Sequence, residues 1–175
     1  MNDVLSLRAM RAADLERIGA WLSEPHVARW YLAGSTVEQE VEELRQCVAG
    51  EQPTHALVVT HRGLPIGWCQ WYRYREYPDH AAAIGALPQD IGLDYAIGDP
   101  AHVGRGFGTA LIATLVAAVR EEHPGAGFVA DPEAVNIASR RVLEKNGFEL
   151  IREAAVATEA TDAVMAIYRL APALG

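Results

Sequence analysis

The chain has 175 residues, half of them hydrophobic and 22% charged, with 23 acidic against 15 basic side chains and a net charge of −8. That length suits one domain spanning residues 1–175 with a substantial core; the acidic balance argues against a nucleic-acid surface, which needs a basic stripe, and suits a cationic ligand, although a solvated acidic exterior explains the same charge. No stretch approaches the roughly 20 apolar residues of a membrane span, the opening MNDVLSLRAM lacks a signal-peptide plan, and Cys47 and Cys69 match neither a metal-site spacing nor a disulfide framework, so a cytoplasmic protein with reduced, partly buried thiols is expected.

In chain order, VLSLRAM (Val4 to Met10) alternates as a strand. AADLERIGAWL puts Leu15, Ile18 and Leu22 on one helical face, with Asp14 near the expected N-cap, and PHVARWY suits a short helix. TVEQEVEELRQCVAG is the clearest amphipathic helix, with Val37, Val41, Leu44 and Val48 on one face, Thr36 placed to cap it and Gly50 after its end. THALVVTH (54–61), RGLP and IGWCQWYRY (66–74) read as a β-hairpin whose turn contains glycine and proline. REYPDHAAAIGALPQ reads as a loop, by its prolines and lack of period, and DIGLDYAIG (90–98) as the next strand. A helix over 107–122 turns Leu111, Leu115, Ala118 and Val119 to one side; GFVADP is a short strand, EAVNIASRRVLEKNG a helix closed by Gly147, and FELIREAAVA and AVMAIYRL the last two strands. This order gives an α/β fold: a mixed, mainly antiparallel central sheet of about seven strands flanked by helices.

HVGRGFGTAL places Gly104, Gly106 and Gly108 at alternate positions just ahead of the 107–122 helix. It is no Walker A loop, for want of the lysine, and no Rossmann fingerprint, because Thr109 stands where the third glycine belongs. A nest of N–H groups at a positive helix end remains, able to hold a pyrophosphate through main chain alone, with Arg105 adding charge at its edge. A plain flexible turn ahead of a helix is the alternative.

The stretch resembles the coenzyme-A pyrophosphate loop of the GNAT N-acetyltransferase superfamily, [RQ]-x-x-G-x-[GA], with Gly106 and Gly108 at its glycines and Val103 where arginine or glutamine is usual. NIASRRVLEKNGFELI resembles the next signature of that superfamily, and the likeness extends over essentially the whole chain. Within it, LRAMRAADLERIGAWLSEPHVARWY, PIGWCQWYRYREYPD, GLDYAI, GRGFGT and ADPEAVNIASRRVLEKNGF are similar, in order, to blocks of the aminoglycoside 6′-N-acetyltransferases, some of which also lack the arginine or glutamine. The resemblance implies the GNAT fold, acetyl-CoA as co-substrate, a cationic aminoglycoside as the small-molecule partner, and no nucleic-acid or membrane partner. A monomer and a homodimer both fit.

The resemblance also assigns residues. It implies that Gly104, Arg105, Gly106, Phe107, Gly108 and Thr109 hold the cofactor, with Ile97 backbone and Asn136 toward the pantetheine arm. It puts the catalytic aspartate at Asp94, in GLDYAI, and aspartate is otherwise disfavoured in a strand. Asp94 would take the amine's proton directly or through water, or hold the amine in place. Asp79 and Asp131 match substrate-binding aspartates, and three convergent carboxylates recognise a polyamine through charge-assisted contacts; a solvated loop for Asp79 and a helix N-cap for Asp131 are the alternatives. Trp30 and Tyr31 match an aromatic pair that lines the antibiotic cleft, a sensible surface for a sugar ring, with core packing as the alternative. Leu143 stands where many members carry a tyrosine that protonates the leaving thiolate; Tyr72 or Tyr95 would substitute, or the thiolate would leave unprotonated. No nucleophile pair is legible, so direct transfer in a ternary complex is expected. Acyl transfer to a siderophore hydroxylysine, a polyamine or a peptide N-terminus, and a non-catalytic acyl-CoA-binding module, are the competing functions.

Overall fold

The computed structural model describes residues 5–156 and 162–173; Val4 and Ala157, at the ends of two expected strands, lie outside the described residues. Among these, seven strands form one sheet in the order β1-β2-β3-β4-β5-β7-β6: β1 Leu5–Ala9, β2 His55–His61, β3 Leu64–Arg73, β4 Ile91–Ile97, β5 Phe128–Ala130, β6 Glu149–Ala155 and β7 Val164–Leu170. The β4–β5 pair, with Ile91 opposite Phe128, is parallel; β1–β2, β5–β7 and β6–β7 are antiparallel. The helices are α1 Leu15–Leu22, α2 Pro25–Tyr31, α3 Val37–Ala49, α4 Pro78–Ile84, α5 Phe107–Glu122 and α6 Ile137–Lys145. By its internal contacts the chain divides into two compact units, the first Met1–Gln70 with Tyr95–Leu111, the second Trp71–Asp94 with Ile112–Gly175.

The first unit is built around Ile18, Trp21 and Leu22 of α1, Val27 of α2, Leu44 of α3 and Trp68 of β3, with Val37, Val41 and Val48 packed against them. The expected faces of α1 and α3 are therefore the buried ones. Trp21 and Trp68 stack with centroids 6.3 Å apart and planes 6° apart, and Tyr31 tilts onto Trp68 at 5.4 Å. Thr36 caps α3 in a reciprocal box: its hydroxyl accepts from Gln39 N–H while the Gln39 carboxamide accepts from Thr36 N–H. Asp14 stands at the N-cap of α1 without bonding that helix; its carboxylate takes two bonds from Arg8 and one from Arg11 N–H. The hairpin turns on Arg62 and Gly63, both left-handed (φ 51° and 80°), as a two-residue turn requires; Pro65 lies inside β3 rather than in the turn. Cys69 is fully buried and free, its thiol pushed up to about 12 by burial; Cys47 is half-buried and also free.

The second unit packs Tyr74, Ala81, Ile84, Val129, Val156, Met165 and Ile167 together. Three expectations are corrected. Residues 75–89 are not simply a loop: a single 3-10 turn over Tyr74–Glu76 leads into α4, which Pro78 opens at its first turn and which buries Ala81 and Ile84 at i, i+3. The helix expected over 133–147 begins only at Ile137, because Ala134 N–H donates to Val164 and Pro132 carbonyl accepts from Ala166, drawing this stretch against β7. Third, along α5 Leu111, Leu115 and Val119 are buried as expected, but Ala118 is exposed, and Ile112 and Val116 complete the face. Gly147 closes α6 as expected, with Phe148 N–H donating back to Leu143.

Asp90 is the one fully buried carboxylate among the described residues, at 0% exposure. Its Oδ1 accepts from Arg169 at 2.8 Å and its Oδ2 from Leu87 N–H at 2.9 Å, while its own carbonyl accepts from Tyr74 N–H. Gly127 leaves room for the pair: a Cβ there would stand 2.8 Å from Asp90 Oδ1 and 2.9 Å from Arg169. Asp90→Ala strands the Leu87 amide and the Arg169 charge, and should cost about 3 kcal/mol. Urea unfolding measures this; a midpoint unchanged from wild type would show that the pair contributes nothing.

Candidate functional site

In the first unit the chain leaves β4 at Ile97 and makes a 3-10 turn over Pro100–His102 that Asp99 caps: its carboxylate accepts from Ala101 N–H at 3.0 Å and faces His102 Nδ1 at 2.8 Å. Gly104 and Gly106 then adopt left-handed φ of 74° and 86°, and a Cβ on either would meet nothing within 4 Å. The left-handed φ favours glycine, and the open space leaves this backbone accessible to a ligand. Gly106 carbonyl accepts from Ala110 N–H, so helical bonding starts at the glycine and the N–H groups of the first turn project from the helix end. Arg105 is exposed, bonds Ala101 carbonyl at 3.2 Å and lies 5.8 Å from the Phe107 ring centroid. Phe107 is buried, with His61 at 4.8 Å and His102 at 5.0 Å, and it locks the loop onto the unit beneath it. Gly108 and Thr109 lie half-buried in the first turn of α5.

The end of β4 is held from the other side by His26 of α2, whose Nε2–H donates to Ile97 carbonyl at 2.9 Å. Nothing in the sequence pattern marked this histidine. On the same helix Trp30 is half-buried beneath the Arg29 guanidinium, 4.3 Å from the ring centroid, whereas Tyr31 leans on the core through Trp68. The pair thus divides between the two readings, Trp30 partly open and Tyr31 mainly packed.

In the second unit Asp94, on β4, and Asp131, just after β5, act on one pair of phenols. Burial, the Asp94 charge, Tyr74 and the Asp131 charge together push the Tyr72 phenol well above its ordinary range; burial and Asp131 do the same to Tyr74, with Asp94 and Asp90 adding to the effect. Gly92 makes this possible, since a Cβ there would stand 2.3 Å from the Tyr72 ring. Tyr72 meets Tyr74 and Tyr77 edge-on at 5.4 and 5.1 Å, and His80 stacks on Tyr74 at 6.0 Å. Asp131 is not a helix cap: Asn136 caps α6 by accepting from Ser139 N–H at 3.1 Å. The Asp131 side chain is only 10% exposed; its Oδ2 makes no hydrogen bond of good geometry but stands 3.2 Å from His80 Nε2. The buried Tyr74 hydroxyl likewise makes no well-formed hydrogen bond. Asp79, in the first turn of α4, is exposed. Leu143 is fully buried, an apolar member of the interior. Sequence reading misses His80 because the stretch that forms α4 reads as a loop, and Tyr74 because it reads as one more residue of the strand IGWCQWYRY. Among the described residues no group of three or more His, Cys, Asp or Glu is placed to hold a metal ion, and no helix is long and apolar enough to cross a membrane.

The family model described as an acetyltransferase (GNAT) domain matches residues 11–156. Aminoglycoside N(6′)-acetyltransferase type 1 of Klebsiella pneumoniae is 27% identical over 151 residues, which cover 85% of this chain and 75% of that protein. Lysine N-acyltransferase MbtK of Mycobacterium sp. (strain MCS) is 30% identical over 159 residues, covering 90% of this chain and 63% of the relative. Among solved structures, AAC(6′)-Ib in complex with ribostamycin and coenzyme A aligns with a TM-score of 0.79 at 23% identity, covering 97% of this chain and 94% of that one.

The phenol pair gives the site a spectroscopic signature. Phenols raised in the folded state stabilise it at low and neutral pH, and this contribution disappears as pH climbs above about 10, the unfolded-chain value. In the native protein the ultraviolet titration step near pH 10 should therefore keep its full amplitude in Tyr72→Phe and in Tyr74→Phe. A smaller step in either variant would mean that the corresponding phenol is not shielded.

Proposed function

Because the chain belongs to the acetyltransferase (GNAT) family, and acetyl-CoA is its co-substrate, we propose that it acetylates the 6′-amine of an aminoglycoside by direct transfer, a reaction that confers resistance to the drug. The observation that carries this reading is the carboxylate pair of the second unit: Asp94 and Asp131 bear on the same two phenols, and the Asp131 oxygen is buried without a proper donor. Such a place suits an ammonium ion, which brings both charge and donors. Asp79, exposed on α4, adds a third carboxylate for a polyvalent acceptor.

Acetyl-CoA supplies an acetyl group activated as a thioester. The chain's task is to hold it, to orient the amine and to manage the proton. The left-handed loop at Gly104 and Gly106, with Gly108 and Thr109 opening α5, offers main-chain N–H groups to the pyrophosphate, and Arg105 adds a cation at its edge. The main chain at Ile97, fixed by His26, and Asn136 at the start of α6 serve the pantetheine arm. Asp94 positions the ammonium and takes its proton, directly or through water. Trp30 presents a partly open ring to a sugar face. A phenol raised well above 10 donates uphill to a thiolate of pKa near 8.5, so Tyr72 is a poor acid for the leaving group, and departure as the thiolate is the simpler route.

A lysine-type acceptor is the second reading, favoured by the 30% identity to a lysine N-acyltransferase. Its carboxylate would meet the field of Asp94 and Asp131 unfavourably, which ranks it behind a polyamine. Coenzyme-A release measured with kanamycin, tobramycin, spermidine, lysine, N6-hydroxylysine and a peptide separates the two. Turnover of kanamycin and tobramycin with the product acetylated at the 6′-amine is expected; release only with lysine, hydroxylysine or a peptide would replace this reading.

With the preferred acceptor, Asp94→Ala should lower kcat about 100-fold or more, in the range of lost general-base catalysis, and leave coenzyme-A affinity within about twofold. A parallel loss of coenzyme-A affinity would mean that Asp94 is structural. Gly106→Ala should raise KM for acetyl-CoA at least tenfold while destabilising the fold by only about 1–2 kcal/mol, the strain of a left-handed alanine. An unchanged KM would remove the loop from cofactor binding.

A further inference from the structure

His80 is fixed in direction by packing. It stands on α4 beside Ala81, and both Ala81 and Ile84 are buried in the core of the second unit. Its ring lies nearly parallel to that of Tyr74, planes 21° apart, and its Nε2 stands 3.2 Å from Asp131 Oδ2. The Asp131 side chain is nine-tenths buried and this oxygen has no well-formed hydrogen bond, so the imidazole, when protonated, is a counter-charge placed directly beside the carboxylate. The groups that bear on the pair are Asp131 and the phenols of Tyr72 and Tyr74, with Tyr77 edge-on to Tyr72. Asp94 of β4 and Asp90 act on the same phenols; Asp79 precedes His80 on α4; and Arg152 of β6 is bonded to the Ala83 carbonyl on that helix. Asp90 is already paired with the Arg169 guanidinium, and of the other groups named here the carboxylates Asp131, Asp94 and Asp79 outnumber the Arg152 guanidinium, a field that favours the imidazolium.

From this geometry we infer that His80 is an internal counter-cation that competes with the acceptor's ammonium for Asp131, making it a specificity-determining residue. The inference rests on the proposed reading of Asp131 as an acceptor-binding carboxylate. With His80 protonated, Asp131 is neutralised from within and an incoming ammonium meets a like charge. With His80 neutral, Asp131 presents its full charge. Affinity for a polycationic acceptor therefore rises as pH climbs through the imidazole range. An acceptor with a single ammonium, held at Asp94, gains little from the change, so the device selects for polyvalent amines.

The test is calorimetric binding of kanamycin to the coenzyme-A complex of wild type, His80→Gln and Asp131→Asn between pH 5.5 and 7.5. Comparing variant with wild type at each pH cancels the drug's own titration. His80→Gln should bind about three- to tenfold more tightly than wild type at pH 5.5 and match it at pH 7.5, within the tenfold that one pK unit of coupling allows. The imidazole proton resonances of His80 should titrate at lower pH in Asp131→Asn, and this arm stands even if His80→Gln folds poorly. The same pH dependence in His80→Gln as in wild type, or weaker binding at every pH, overturns the inference: the first leaves His80 a bystander, the second makes it a brace for Asp131. Undiminished kanamycin affinity in Asp131→Asn, or no binding by wild type, instead removes the acceptor reading and the competition with it, and is recognised by an intact effect of Asp131 on the His80 titration.

Discussion

The buried carboxylate of Asp90 is the fixed point from which the second unit's chemistry hangs. A charge with no exposure must be fully partnered, and Asp90 meets this demand with Arg169 of β7 and the Leu87 amide, while its carbonyl ties Tyr74 to the start of β4. Those bonds set where Tyr74 stands, and Tyr74 is the ring on which His80 stacks. They also close the segment that contains α4, because Arg75 N–H donates to Pro88 carbonyl just before the Leu87–Asp90 turn. A helix of seven residues has little stability of its own; α4 persists because both of its ends are anchored and Ala81 and Ile84 are buried.

Much of the fold was legible because its signals are local. The cap at Thr36, the apolar spacing of α1 and α3, the strands on either side of the Arg62–Gly63 turn and the glycine loop ahead of α5 are each written within a few residues. The failures share the opposite property. The helix α4 is apolar mainly through alanines, too weak a signal against its flanking prolines. The delayed start of α6 depends on bonds from residues 132–134 to β7, some thirty residues further along the chain. Asp131 resembles an N-cap by its position before Pro132, but Asn136 does that work.

The candidate site was legible to the same extent. The glycines identify themselves by needing left-handed backbone, and Asp94 by being a carboxylate in a strand. His80 and Tyr74 carry no such mark. A histidine in a proline-flanked stretch and a tyrosine at a strand end gain meaning only when the sheet brings β5 and the residue after it beside them. Leu143 shows the limit of a motif: in this chain its position is part of a sealed apolar interior, which a leucine fills without leaving a polar atom unpaired.

His26 behaves differently from His80 although both use Nε2. The Ile97 carbonyl accepts from an N–H that the neutral Nε2-protonated ring and the imidazolium both possess, so this tether is indifferent to proton uptake. His26 and Trp30 sit four residues apart and so share a face of α2. Any tilt of that helix is therefore a pull on the last carbonyl of β4. The tether makes the helix a lever whose short arm is the strand end.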